Sequence, residues 1–297
     1  ESTSVNKIGK ISHKDLCLSN SFQEKKFKKL INFLKNINDI PIGLQISHSG
    51  RKGSSFVPWK KSNEPLKKRD KSWQTFSASA IKRDRHWPTP KELKKNDLLN
   101  LVKKFKSTAI RAKRIGFDCL EIHMAHGYLL HQFLSPISNK RNDEYGLNKF
   151  SFPLNIVKEI RKVWPKERIL GARITATDHL KNGLTLKDSI ELVNNLKKAG
   201  LDYVCVSSGG ILPKTNMKIK SAFRKNLSKK IKNNSKIFVR TSGNINDIKL
   251  AEKLLKKKYV DFIAVGRKFI KDPNWIISEA KKRKIPNYVP NQYLRCI

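Results

Sequence analysis

The chain has 297 residues, of which 64 are Lys or Arg and 24 Asp or Glu, a formal net charge of +40; that length suits one large domain or two ordinary ones. It holds no run of about 18 apolar residues, and Glu1-Ser2-Thr3-Ser4 has neither the basic region nor the apolar stretch of a signal peptide, so a cytoplasmic, soluble protein is expected. The charge suggests nucleic acid or anionic lipid, yet the lysines are spread through nearly every helical stretch, as in Lys25-Lys26, Lys103-Lys104 and Lys197-Lys198, and aromatics are not interleaved with them as a stacking platform needs. A solvated basic surface with no specific nucleic-acid or membrane partner is the expectation.

In chain order, the first apolar strand-like run covers 42–47 and ends in polar residues, Gln45 and His48. The stretch 51–92 lacks periodicity and holds Pro58, Pro65, Pro88 and Pro90 with Trp59, Trp73 and Trp87. Loops this long inside a compact domain are lids or disordered, and three tryptophans favour an ordered lid over a mouth. Asp97 is placed to cap a long helix running to about Ile115, before Gly116. The second run, 119–124, ends in His123 and leads through Ala125-His126-Gly127 to Tyr128. On a continuing strand His123 and His126 could not share a face, so the turn must fold the second imidazole back. Two neutral imidazoles aimed at one point suit a carbonyl or nitro oxygen that gains negative charge during reaction, and Tyr128 is then the nearby proton source.

Further runs follow at 169–175, 203–208, 237–242 and 262–266, with Leu186, Ile190, Val193 and Leu196 at helical spacing before a glycine cap at Gly200. Strands alternating with helices imply parallel βα units. Polar residues recur at the same end of every strand: Arg173, 207–210, Gly243, Gly266 and Arg267. That distribution marks a barrel with its site on the C-terminal face, whereas a doubly wound sheet would focus its site in one crevice. Cys17, Cys119, Cys205 and Cys296 form no C-x-x-C pair, which argues against a metal, an iron–sulfur cluster or a disulfide framework; Cys119 and Cys205 read as buried strand thiols.

Four segments, GLQISHSGRKG (43–53), EIHMAHGYLLHQFLSPISNKRNDEYG (121–146), RITATD (173–178) and VGRKFIKDPNW (265–275), resemble the old yellow enzyme family of FMN-dependent ene-reductases, in its bacterial xenobiotic-reductase-like branch. The resemblance implies a TIM (β/α)8 barrel over 1–297 as a single FMN-binding domain, reduced by NADPH or NADH, that passes a hydride to the activated C=C bond of an α,β-unsaturated carbonyl or nitro compound. By the same likeness Gln45 meets the flavin pyrimidine edge, Arg173 lies beside flavin N1 and O2, Gly243, Gly266 and Arg267 grip the phosphate, and Ser2 is the small residue against the flavin. His123 and His126 match the substrate-oxygen pair and Tyr128 the proton donor. Arg295, in QYLRCI (292–297), resembles an arginine lent to a neighbouring subunit's substrate site, which implies a homo-oligomer.

The chain departs from the family pattern in two places. Glu1 falls at the end of what should be the second strand, so the first βα unit is expected to be missing, and Leu147-Asn148-Lys149-Phe150 replaces a turn containing glycine and arginine. The competing readings are a flavin-barrel remnant that only binds, and a basic nucleic-acid-associated protein.

Overall fold

Alternation of side chains builds the centre of the molecule. Leu44, Ile46, Leu120, Ile122, Leu170, Ala172, Ile174, Val204, Val206 and Val239 are buried on one face of a parallel sheet, under the helices, while polar residues between them take the other face. A computed structural model describes residues 2–61, 64–214, 217–285 and 295. Its main sheet has seven strands: β1 (Ser2–Ser4), β2 (Gly43–Ser47), β5 (Cys119–Met124), β6 (Ile169–Thr175), β7 (Tyr203–Ser207), β8 (Phe238–Thr241) and β9 (Phe262–Ile263), in that order. Every ladder is parallel, as βα units dictate. No ladder joins β9 to β1 among the described residues.

Register sets out the inner face in rows. Gln45, Glu121, Gly171 and Tyr203 are successive partners across four strands, and the next row is His123, Arg173, Cys205 and Arg240. The two rows put carboxylate, guanidinium and imidazole groups where a filled barrel carries branched apolar side chains. Gly171 is obligatory here, because a Cβ at that position would lie 2.0 Å from Cε1 of Tyr203.

The helices are amphipathic covers. The longest, α2 (Lys95–Ile115), buries Leu98, Leu101, Val102, Phe105, Ala109, Ala112 and Ile115, the spacing of one helical face, and packs against α1 (Ser21–Ile37) and α5 (Ser151–Arg161). Asp97 is not its cap: the helix begins at Lys95, and the Asp97 carboxylate accepts from the Lys94 N–H at 2.9 Å. α6 (Leu186–Lys198) does end before Gly200, which has φ +97°. Between them lie the short α3 (Leu129–Leu134) and α4 (Glu144–Leu147). α7 (Lys225–Ser235), α8 (Ile248–Lys256), α9 (Arg267–Lys271) and α10 (Trp275–Lys282) complete the order. Among the described residues no helix is long and apolar enough to cross a membrane.

The lid expected at 51–92 is ordered in its described residues. Two short strands, β3 (Phe76–Ser77) and β4 (Lys91–Glu92), pair in parallel, and Trp87 is buried while Trp59 is 77% exposed at the rim. Arg51 locks it down. Its guanidinium is buried and donates to the carbonyls of Ile81 (3.2 Å), Lys82 (3.3 Å) and Ile211 (2.9 Å), so one side chain ties the lid to the loop after β7 by satisfying three otherwise orphaned acceptors.

Candidate active site

The chain turns sharply after β5. His126 (φ +58°) and Gly127 (φ +72°) adopt left-handed backbone, and a Cβ on Gly127 would sit 2.2 Å from the Gly210 carbonyl, so only glycine lets the two loops touch. Two buried side chains hold this turn. Gln132 donates to the Gly127 carbonyl at 2.7 Å and accepts from Ser77 at 3.0 Å; Nδ1 of His131 accepts from the Gly127 N–H at 2.7 Å. That bond places the His131 proton on Nε2, which faces Asp178 Oδ1 at 3.0 Å. Burial pushes Asp178 toward a higher pKa, but His131, Ser135 and the Leu184 N–H outweigh it and hold the group ionised below the usual carboxylate range.

The turn folds His126 back beside His123, as its sequence requires. The rings meet edge to face with centroids 5.1 Å apart. Their tautomers follow from their partners. Nδ1 of His123 accepts from the Ala125 N–H (3.2 Å), so its Nε2 carries the proton and donates to Nδ1 of His126 (3.2 Å); Nε2–H of His126 then donates to Ser207 Oγ at 2.6 Å. The two donors therefore run in a relay toward Ser207 and do not converge on one point. Burial, before any neighbouring charge, lowers His123 to about 3 and His126 well below its ordinary value. Both are neutral near pH 7. The Tyr128 ring meets His123 edge to face, with centroids 4.8 Å apart, and burial pushes its hydroxyl up to about 12.

A cavity of about 540 Å³ opens beside this relay, lined by Ser2, Gln45, His123, His126, Tyr128 and Arg173 and floored by Glu121, Tyr203 and Arg240. The floor is a network that sequence reading missed. Glu121, 5% exposed, accepts from Gln45 Nε2 (2.6 Å), Tyr203 Oη (2.8 Å) and Arg240 Nη2 (2.5 Å). Because Glu121 takes the amide N–H of Gln45, the Gln45 oxygen is left to accept an N–H from above. Ser2 is tied to Ser47 by a 2.6 Å hydroxyl pair. Cys205 is buried as expected, whereas Cys119 is half-buried and lines the cavity, because its strand's inner face meets open space there.

Arg173 joins this cavity to a second one of about 320 Å³, bounded by Arg224, Ser242, Gly243, Asn244, Gly266 and Arg267. Gly243 has φ +131° and is buried beside Phe223, whereas Gly266 is exposed with nothing within 4 Å of where a Cβ would stand, so its backbone is open to a ligand. Arg224, which sequence reading passed over, reaches in and donates to Ser208 (3.2 Å) and Ser242 (3.3 Å). Burial and then Arg173 lower it to about 10. Two half-buried arginines facing each other call for an anion. Arg267 is exposed at the start of α9. Arg295 is exposed and lines neither cavity.

This donor set fits FMN. The larger cavity offers an acceptor oxygen (Gln45) and a guanidinium whose buried Nε has no hydrogen-bond partner (Arg173), as a pyrimidine edge needs, and the smaller offers cations and open backbone for a phosphate.

Residues 1–285 match the NADH:flavin oxidoreductase / NADH oxidase family. The chain is 34% identical over 299 residues to an NADPH dehydrogenase of Clostridium acetobutylicum, covering 99% of this chain and 83% of that protein. Among solved structures, morphinone reductase is similar with a TM-score of 0.77 at 23% identity, over 98% of this chain and 78% of the other. A complex of 2-naphthoyl-CoA reductase gives 0.81 at 21% identity, over 96% of this chain and 44% of that one. These likenesses carry the fold, a TIM barrel.

Proposed function

Because the chain belongs to the NADH:flavin oxidoreductase / NADH oxidase family, and is thereby an FMN-dependent NAD(P)H oxidoreductase, we propose that its oxidising substrate is an alkene activated by a carbonyl or nitro group. The observation that carries this reading is the pair of neutral imidazoles, His123 buried and His126 half-buried, set by the His126-Gly127 turn at the wall of the larger cavity. The chemistry that bound FMN supplies is hydride transfer from the nicotinamide to the double bond. The residues do the rest. A substrate oxygen arriving at His123 and His126 takes over N–H groups that otherwise serve His126 and Ser207, and these donors hold the negative charge that grows on it. Neutral donors suit this role, since a charged imidazolium would require a proton uptake that burial opposes. Tyr128 stays protonated across the physiological range and serves as the acid at the carbon next to the activating group.

Gln45 and Arg173 are assigned to the flavin pyrimidine edge, with Glu121 fixing which way the Gln45 amide faces. Ser2, Gly243, Gly266, Arg267 and now Arg224 are assigned to packing and phosphate binding, and Arg295 to the substrate site of a neighbouring copy in a homo-oligomer. Arg224→Ala is expected to weaken FMN binding by about 1.5–3 kcal/mol, as for a hydrogen bond to a charged group. Arg267→Ala, on an exposed residue, should cost at most about 1 kcal/mol. Fluorescence titration of FMN into flavin-stripped protein measures both, and undiminished affinity in Arg224→Ala would exclude it from the phosphate site. For the reading as a whole, loss of the enone-dependent rate with FMN retained, on replacing the histidine pair, is the decisive experiment.

A further inference from the structure

The turn that brings His126 beside His123 is held from outside at both peptide bonds around His126, and one of the holds depends on where a proton sits. Left-handed backbone is costly for residues other than glycine, so His126 at φ +58° needs such fixing. Its N–H donates to Thr175 Oγ1 at 3.1 Å, and its carbonyl accepts from Lys52 Nζ at 2.7 Å. The Gly127 N–H, on the same peptide as that carbonyl, donates to His131 Nδ1 at 2.7 Å. Of the three partners only the imidazole turns from acceptor to donor when one proton moves within its ring. With the proton on Nδ1, two N–H groups would face each other and the Gly127 peptide would have to turn.

Asp178 keeps that proton on Nε2. Its Oδ1 lies 3.0 Å from His131 Nε2, both side chains are 0% exposed, and neither atom has another hydrogen-bond partner. The carboxylate is itself fixed. Oδ2 accepts from Ser135 Oγ and from the Leu184 N–H, each at 2.7 Å, and the Asp178 N–H donates to the Leu184 carbonyl at 2.9 Å. Gly183 lets this loop close, since a Cβ there would stand 2.7 Å from that of Asp178. The loop leads from the end of β6 into α6. His131 and Asp178 line neither of the cavities that Arg173 joins, so they act on a ligand there only through the turn.

Resting on the ene-reductase reading, we propose that Asp178 and His131 are positioning residues for the reaction: the carboxylate selects the imidazole tautomer that holds the His126-Gly127 peptide, and that peptide sets where the His126 ring meets the substrate oxygen. A carboxylate beside a buried imidazole fixes which nitrogen carries the proton, and an amide in its place selects the other. Asp178→Asn makes the choice sharp. Ser135 and Leu184 both donate toward Oδ2, so the new amide oxygen takes that place and the amide N–H groups face His131. Nε2 must then accept, the proton moves to Nδ1, and the Gly127 N–H loses its acceptor.

The test uses the FMN-loaded full chain with its histidines labelled for nitrogen NMR. In the unaltered protein His131 should show a protonated Nε2 and a bare Nδ1, and in Asp178→Asn the reverse, with the His126 resonances moved as well. Rapid mixing of reduced Asp178→Asn should give a maximal rate with cyclohexenone about tenfold lower, because a misplaced donor fails the charge that forms during reaction. The enone concentration at half-maximal rate and the rate with dioxygen should each change by less than about twofold. His131→Asn/Asp178→Asn should recover the enone rate to within about threefold of the unaltered protein, since an amide oxygen near the place of Nδ1 accepts from Gly127 whatever stands at position 178. If Asp178→Asn does not fold, Ser135→Ala, which loosens the carboxylate, should lower the enone rate about threefold and leave the dioxygen rate unmoved; an unmoved enone rate there counts against the proposal. An unchanged His131 tautomer in Asp178→Asn, equal slowing with both oxidants, or no recovery in the double variant overturns it. Failure of the unaltered protein to reduce cyclohexenone would sink the ene-reductase reading alone. The spectra need no substrate, and the role of the pair is then decided by whether Asp178→Asn moves the His126 resonances.

Discussion

His123→Ala/His126→Ala should slow reduction of cyclohexenone by about 10²-fold or more, with FMN content unchanged. The donors act on the charge that forms on the substrate oxygen, so their loss raises the barrier for this substrate and not for an oxidant without a carbonyl. Reoxidation by dioxygen in the same preparation should therefore be far less affected. Rapid mixing of reduced protein with each oxidant measures the two rates. Equal slowing with both, or with neither, would mean that the relay from His123 through His126 to Ser207 is structural.

Glu121→Leu should cost the most stability of any single change considered. The carboxylate is 5% exposed and serves three donors; removing it leaves Arg240 and Tyr203 with only the weakly accepting sulfurs of Cys205 and Cys119 under the cavity. Breaking a buried pair from one side costs about 3–5 kcal/mol, and about 3 is expected here because a third of the Arg240 side chain still reaches solvent. Tyr203→Phe, which removes one donor, should cost about 1 kcal/mol. FMN affinity should fall with Glu121→Leu as well, since Gln45 is then free to turn its amide over. Urea unfolding and FMN titration check both effects, and an unchanged midpoint with unchanged affinity would show that the network carries no load.

The residues that could be placed from sequence are those whose partners are near in the chain or recur with the strand period. The His123 to Tyr128 turn was legible because a strand end, two histidines three residues apart and a glycine lie within six residues, and strand alternation alone cannot put both histidines on one face. The strands were legible from apolar runs, although β8 and β9 are shorter than expected, at Phe238–Thr241 and Phe262–Ile263. Their last residues leave the ladder to form loops around the smaller cavity. Asp97 read as a cap because acids favour helix starts, but the same preference places it three residues further in, bonding back to Lys94.

What stayed hidden is long-range or aperiodic. Glu121 meets Tyr203 and Arg240 across 82 and 119 residues, and only register brings them together. Arg224 lies in a loop with no pattern, and Lys52 and Arg83 sit in the lid, where charge had read as surface. The relay was hidden too, since residue types name two imidazoles without saying that one donates to the other.

The most direct test of the central claim is a single anaerobic turnover. FMN-loaded protein reduced with NADPH deuterated at the transferred position is mixed with cyclohexenone, while flavin absorbance is followed and the product is analysed by mass spectrometry. Return of the oxidised flavin spectrum with one cyclohexanone per flavin, carrying deuterium at the β carbon, is the predicted result; a flavin that stays reduced with the enone and is reoxidised on admitting air would contradict it.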